Sequence, residues 1–228
     1  MNTTGPSDLE YIRRQQIGYY ACISHLDNQI GRFLIALIER GLMNNTIILF
    51  TSDHGEMLSD HCFCRKSLPY QGSIRVPMFV RGPESIVGQR GINTNIAGLQ
   101  DIMPTLLEAA GADIPPHVEG QSLLRLSREW LHGEHFYGQL SNHFIVTRDD
   151  KYVWFSQTGR EQYFRLDTDP NETHDAIADP MWQERVSELR HNLIRTLVDS
   201  PEGYSDGRQL IVGKPPRTIL DNATLPNC

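Results

Sequence analysis

The stretch Thr46-Ile47-Ile48-Leu49-Phe50-Thr51-Ser52-Asp53-His54-Gly55-Glu56 decides the fold. Its first half is aliphatic, aromatic and β-branched with no apolar–polar alternation, the pattern of a strand covered on both faces. Its second half leaves that strand with a carboxylate and an imidazole side by side, Asp53 and His54, and Gly55 lets the backbone turn sharply behind them. In open α/β sheets the carboxyl ends of the strands are where ligands bind. Oxygen and nitrogen donors in succession suit a divalent cation, although a cation needs at least four ligands. On residue types alone, a turn-capping role for Asp53 stands level with the metal reading.

Working outward, Leu9 to Leu42 carries apolar residues at steps of three and four (Ile23, Leu26, Ile30, Phe33, Leu34, Leu37, Ile38), which predicts one long amphipathic helix closed by Gly41 and Asn44-Asn45. Residues 1–8 read as a frayed lead-in. Downstream, Val76–Val80 reads as a second strand and Ile92–Leu99 as a short third. Asp101 then reads as the N-cap of a helix over Ile102–Ala110, with Pro104 in its first turn and Gly111 past its end. This order predicts an α/β fold, with part of a mixed or parallel sheet flanked by helices.

The character changes after Pro115-Pro116. Residues 134–167 hold short Tyr-, Phe-, Trp-, Ile- and Val-rich segments broken at Arg148-Asp149-Asp150 and Thr158-Gly159-Arg160, which predicts a small antiparallel sheet. A helix over Pro180–Asp199 follows, with Trp182, Val186, Leu189, Leu193 and Leu197 as its packing stripe. The expected organisation is a portion of the α/β core over 1–125, a small α+β subdomain over 126–205 and an extended tail over 206–228.

Composition narrows the function. The 228 residues are 39% hydrophobic, and Lys+Arg 21 against Asp+Glu 28 leaves a formal charge of −7, which argues against a nucleic-acid partner. No apolar run approaches the ~20 residues of a membrane span, and Met1–Glu10 has no signal-peptide core, so no membrane is expected; the compartment is left open, with cytoplasmic as the default. Four cysteines (Cys22, Cys62, Cys64, Cys228) are too few for a disulfide scaffold. Cys62 and Cys64 form a C-x-C pair with no second pair to complete a zinc site.

Five blocks then resemble one family. TSDHGEMLSDH (51–61) and RKSLPYQGSIRVPMFVRGP (65–83) closely resemble the corresponding blocks of type I sulfatases, arylsulfatase-like members of the alkaline-phosphatase superfamily. The helix and strand over 19–50, LQDIMPTLLEAAGADIP (99–115) and KYVWFSQTGREQYFRLDTDPNETHD (151–175) agree with it, in order. The resemblance implies an alkaline-phosphatase-like core and hydrolysis of sulfuric esters. It places Asp53 and His54 as metal ligands, with calcium the family precedent and magnesium, manganese or zinc admitted by the His54 nitrogen. Lys66, spaced from Tyr70 as in the family, matches the lysine that grips the sulfate. His61 falls behind the ligands in a supporting role, and His135 falls where related enzymes approach the substrate.

The resemblance also implies a formylglycine nucleophile made from a C/S-x-P-x-R signature, and the chain contains none. The nearest match, Ser67-Leu68-Pro69-Tyr70-Gln71, has Gln where Arg is required. The paired aspartates of the first metal half-site are missing too. The chain is therefore expected to correspond to the carboxyl-terminal half of a sulfatase, inactive alone, with its amino-terminal half or a second copy as partner and a sulfate ester as substrate once completed. A phosphonate or phosphodiester hydrolase of the same superfamily, or a non-catalytic remnant, are the competing readings.

Overall fold

The computed structural model describes residues 8–88 and 91–215. The chain divides into two compact units. One holds Tyr70–Glu129 and the chain up to Lys66, and the other holds Ser67–Pro69 and the chain from Trp130 onward.

In the first unit α1 spans Leu9–Glu39. Asp8 caps it, its carboxylate accepting the Glu10 N–H at 2.9 Å. Gly41, at φ +69°, ends it, with Gly41 N–H bonded to Ile38 O and Leu42 N–H to Leu37 O, both at 2.9 Å. This crossed pair satisfies two of the carbonyls a helix end leaves open. The helix is where the periodicity puts it, yet none of its residues is buried. Ile23, Leu26, Phe33 and Ile38 of the apolar stripe are exposed.

Strand β1 (Ile48–Thr51) pairs with β2 (Met78–Arg81) antiparallel, Ile48 opposite Arg81 and Thr51 opposite Met78. Phe50 and Phe79 stack across the pair at 5.1 Å. The α/β class holds, while the strand pairing among the described residues is antiparallel where a mixed or parallel sheet was expected. Parallel strands need a covering crossover, usually a helix. Here the connection is a long loop holding only a 3₁₀ turn at Asp60–Cys62 and the one-turn helix α2 (Gln71–Ile74). A further turn, α3 (Glu84–Val87), follows β2. The strand read over Ile92–Leu99 does not form among the described residues. Asn93 and Asn95 make a local turn there, and the Asn95 side-chain amide donates to Leu126 O at 2.7 Å.

Helix α4 spans Ile102–Ala109. Asp101 precedes it as expected, but its side chain does not cap it. The carboxylate is fully buried and turns the other way, accepting the Gly98 and Gln121 N–H groups at 2.8 Å each and both guanidinium nitrogens of Arg128 at 3.0 and 2.6 Å. A charge-assisted bidentate partner outweighs a cap bond of about 1 kcal/mol. Thr105 extends the knot, donating to Asp101 O and accepting the Leu123 N–H at 2.8 Å.

In the second unit β3 (Trp130–His135), β4 (Asn142–Thr147), β5 (Asp150–Phe155) and β6 (Glu161–Arg165) form an antiparallel meander in sequence order. Asp179 caps a 3₁₀ turn at Pro180–Trp182 that leads into α5 (Gln183–Thr196). Val186, Leu189, Leu193 and Leu197 pack on Ile145, Tyr152, Trp154 and Tyr163 of the sheet. Each such side chain contributes about 1.5–3 kcal/mol on burial. Arg185 clasps Asp150 and Arg190 clasps Glu161, tying helix to sheet. Lys151 is fully buried, paired with Glu172 and donating to Pro69 O, and burial lowers its pKa. The described part of the expected tail bonds back, Gly213 N–H to Ser156 O at 2.8 Å. Among the described residues no helix is long and apolar enough to cross a membrane.

Arg128→Ala strands the buried Asp101 carboxylate, and the expected cost is about 3–5 kcal/mol, measured as a lowered midpoint in urea unfolding. Arg125→Ala, which removes an exposed guanidinium from Glu108, is expected to cost less than about 1 kcal/mol.

Candidate functional site

The carboxyl end of β1 delivers Ser52, Asp53 and His54 into a tight turn. Ser52 Oγ donates to the His54 carbonyl at 2.8 Å, and the Asp53 carboxylate accepts the His54 N–H at 3.0 Å. His54 Nδ1 lies 2.7 Å from Gly55 O. A carbonyl only accepts, so Nδ1 carries the proton and Nε2 presents a lone pair. That lone pair receives Lys66 Nζ at 2.8 Å, and the other Asp53 oxygen lies 3.4 Å from the same Nε2. The structure therefore brings Asp53, His54 and Lys66 to one point, exposed to solvent at Asp53 and Lys66.

Close backbone contact makes this possible. Gly55 N–H bonds to Ser73 O at 2.7 Å, and a Cβ on Gly55 would run into the carbonyl of Gly72. A Cβ on Gly72 would in turn press on Asp60 Oδ2 at 3.2 Å and on the sulfur of fully buried Met57 at 3.3 Å. Neither glycine is needed for a positive φ; both are needed for proximity.

Between these contacts the chain makes a strained excursion. Leu58, Ser59, His61, Cys62, Arg65 and Ser67 all have φ between 47° and 91°. Non-glycine residues take that region reluctantly, and such strain persists only where surrounding bonds over-determine it. Here Met57 N–H bonds to Arg65 O at 2.7 Å and Ser59 N–H to Phe63 O at 2.8 Å, while the Glu56 carboxylate accepts the Arg65 N–H. Glu56 thus closes the loop that ends on Lys66. The His61 ring stacks on Tyr70 at 4.1 Å, which places it as packing for the buried tyrosine.

The donors fit half a cation site. Adjacent ligand atoms of an octahedral cation with bonds of about 2.4 Å sit about 3.4 Å apart, which the Asp53 and His54 atoms match. The Gly55 carbonyl behind His54 Nδ1 fixes the ring, as the outer partner of a ligating histidine does. The segment nearest the nucleophile signature serves another purpose. Leu68 and Pro69 are buried, with Ser67 O accepting from Asn142 and Pro69 O from Lys151 in the second unit.

His135 lies in the second unit at the exposed end of β3, its ring 6.4 Å from Tyr137. Strand alternation puts it on the opposite face from His132. It is Glu134 that shares the His132 face, and His143 comes alongside from β4. Sequence reasoning missed Glu134 and His143, although the H-x-E spacing at period two was the available signal.

Two family descriptions match the chain: Sulfatase over residues 5–112, and N-sulphoglucosamine sulphohydrolase, C-terminal, over residues 59–199. An arylsulfatase of Clostridium perfringens is 48% identical over 217 residues, covering 91% of this chain and 45% of that protein. Among solved structures, a putative sulfatase from Bacteroides thetaiotaomicron superposes with a TM-score of 0.79 at 21% identity, over 92% of this chain and 48% of its own. The phosphonate monoester hydrolase of Agrobacterium radiobacter superposes with a TM-score of 0.68 at 26% identity, over 78% and 40%. The chain spans less than half the length of each of these proteins.

The glycine crossing yields opposite expectations for one added methyl. Gly55→Ala forces the strand-end turn away from Gly72 and is expected to destabilise by about 1–3 kcal/mol. Gly31→Ala, in open space on α1, is expected to stabilise by up to about 1 kcal/mol. Chemical denaturation of the two variants beside the parent chain measures both.

Proposed function

The chain belongs to the sulfatase family, and on that premise we propose that it supplies one half of the metal site and the sulfate-gripping lysine of an enzyme that hydrolyses sulfuric esters. The observation that carries this reading is the convergence of Lys66 Nζ and the Asp53 carboxylate on His54 Nε2. Family membership implies a divalent metal. In this proposal Asp53 and His54 hold it, calcium being the ion, with the remaining ligands coming from outside this half-site. A bound cation supplies charge neutralisation and polarisation of a sulfate oxygen.

Lys66 contributes a compact ammonium for an anionic oxygen, in a loop whose bonded rim fixes its position. His54 turns its Nδ1 to Gly55 O, so Nε2, where Lys66 Nζ sits, is the nitrogen that faces the site. No residue in this sequence matches the signature of a formylglycine nucleophile, so in this reading the attacking group comes from a further segment and the chain alone turns over no sulfate ester. The organic part of the ester is left to groups outside the half-site.

The structural likeness to a phosphonate monoester hydrolase at 26% identity keeps a second reading in the test. The chain is joined behind the portion of the Clostridium perfringens arylsulfatase that it does not match, and assayed with an aryl sulfate and an aryl phosphonate monoester. The expected outcome is turnover of the sulfate, with kcat lowered about 10²–10³-fold by Lys66→Ala. Preference for the phosphonate would overturn the sulfatase reading, and turnover by the unfused chain would overturn the half-site reading.

The bare apolar stripe of α1 gives a physical expectation for the chain by itself. Exposed apolar area of that extent favours self-association, and light scattering is expected to show mass rising with concentration. Phe33→Glu combined with Ile23→Glu is expected to lower it.

A further inference from the structure

A second constellation lies on the β3–β4 hairpin, outside everything used above. Alternation along β3 puts His132 and Glu134 on one face, and the register sets His143 of β4 directly opposite Glu134. His132 Nε2 is 3.3 Å from His143 Nδ1, which is 3.2 Å from Glu134 Oε2, and the three ligating atoms lie within 4.8 Å of one another. Tetrahedral zinc with bonds of about 2.0–2.1 Å sets adjacent ligand atoms about 3.3 Å apart. Two edges already have that length, and the third closes by a swing of the Glu134 side chain, which is 64% exposed.

The two imidazoles are held in place. His143 is buried, its ring 5.7 Å from Trp154 and 4.7 Å from Tyr204. The ring of half-buried His132 lies within 7° of parallel to it. Burial, and then the neighbouring His143, push the His132 pKa down to about 4. The hydrogen bond from His143 holds the Glu134 carboxyl below its usual range, as an anion.

Hydrogen bonding alone serves this trio poorly. One nitrogen, His143 Nδ1, faces both a carboxylate oxygen and an imidazole nitrogen, and it carries at most one proton. Directed at Glu134, that proton leaves His132 Nε2 without a good bond; without it, the nitrogen lone pair faces an anion. A cation at the shared point satisfies all three atoms together. Two imidazoles and a carboxylate form a donor set chosen by zinc and its neighbours over calcium.

We propose that His132, Glu134 and His143 form a binding site for one zinc-class divalent cation, which staples the edge strand β3 to β4. The proposal does not rest on sulfate chemistry, and its test has no activity readout. The 228-residue chain, stripped with chelator and kept in excess calcium, is titrated with cobalt(II) and then zinc.

The expected result is a tetrahedral-type visible cobalt absorption saturating at one equivalent and abolished by zinc. Glu134→Gln and His132→Gln each weaken zinc binding by more than about 10–100-fold, the loss typical of removing only an outer partner of a ligand. Circular dichroism of the metal-free variants, unchanged from the parent, excludes misfolding, and the Asp53→Ala/His54→Ala double variant keeps the full equivalent. The proposal is overturned by the absence of a stoichiometric band, or by a band that survives in both Glu134→Gln and His132→Gln. It is equally overturned by near-ultraviolet thiolate-to-cobalt absorption, which would put the ion on Cys62 and Cys64.

Discussion

Two backbones that pass with no side chain between them set the geometry of the strand-end site. Gly55 bonds to Ser73 O while its α-carbon faces the Gly72 carbonyl, and Met57 and Asp60 close on Gly72 from the other side. The turn carrying Asp53 and His54 is thereby fixed to the same segment that carries Lys66 and Tyr70. Van der Waals contact leaves no slack of the kind a flexible side chain would provide. Positional precision of this sort is what electrostatic recognition of an oxyanion requires, since the donors must already point at the charge.

That crossing also explains why strain is tolerated beside it. Six non-glycine residues between Leu58 and Ser67 hold positive φ, at a cost of order 1 kcal/mol or more each. The loop offsets this through its rim of bonds, with Glu56 reaching across to the Arg65 N–H and Met57 to Arg65 O. Lys66 follows directly, with Ser67–Pro69 then bonded into the second unit. The Lys66 ammonium lies 2.8 Å from His54 Nε2.

The parts of this molecule legible in the sequence are those with local causes. The far end of α1 follows from Gly41, the meander from short aromatic and β-branched segments between polar turns, and the α5 stripe from helical spacing. The convergence of Asp53, His54 and Lys66 was legible through a resemblance, not through spacing. What could not be read has distant causes. Asp101 looks like a cap until Arg128, twenty-seven residues on, claims its carboxylate. The direction of β2 depends on a connection whose length says nothing of its path. His143 joins His132 and Glu134 only through the hairpin register, a relation between strands that no single strand displays.

One consequence ties the site's two halves together. The His54 Nε2 lone pair that accepts Lys66 Nζ cannot also be given to a cation, whereas the Lys66 ammonium has further N–H groups for an anionic oxygen. With the pair closed on itself, Lys66 masks the His54 lone pair. A cation taking the His54 lone pair would release the Lys66 N–H it holds, and an anion that drew Lys66 fully away would free His54. Each event therefore makes the other easier, and by linkage the benefit is equal in both directions. In the proposed half-site a cation on His54 and an anion on Lys66 would thus favour one another.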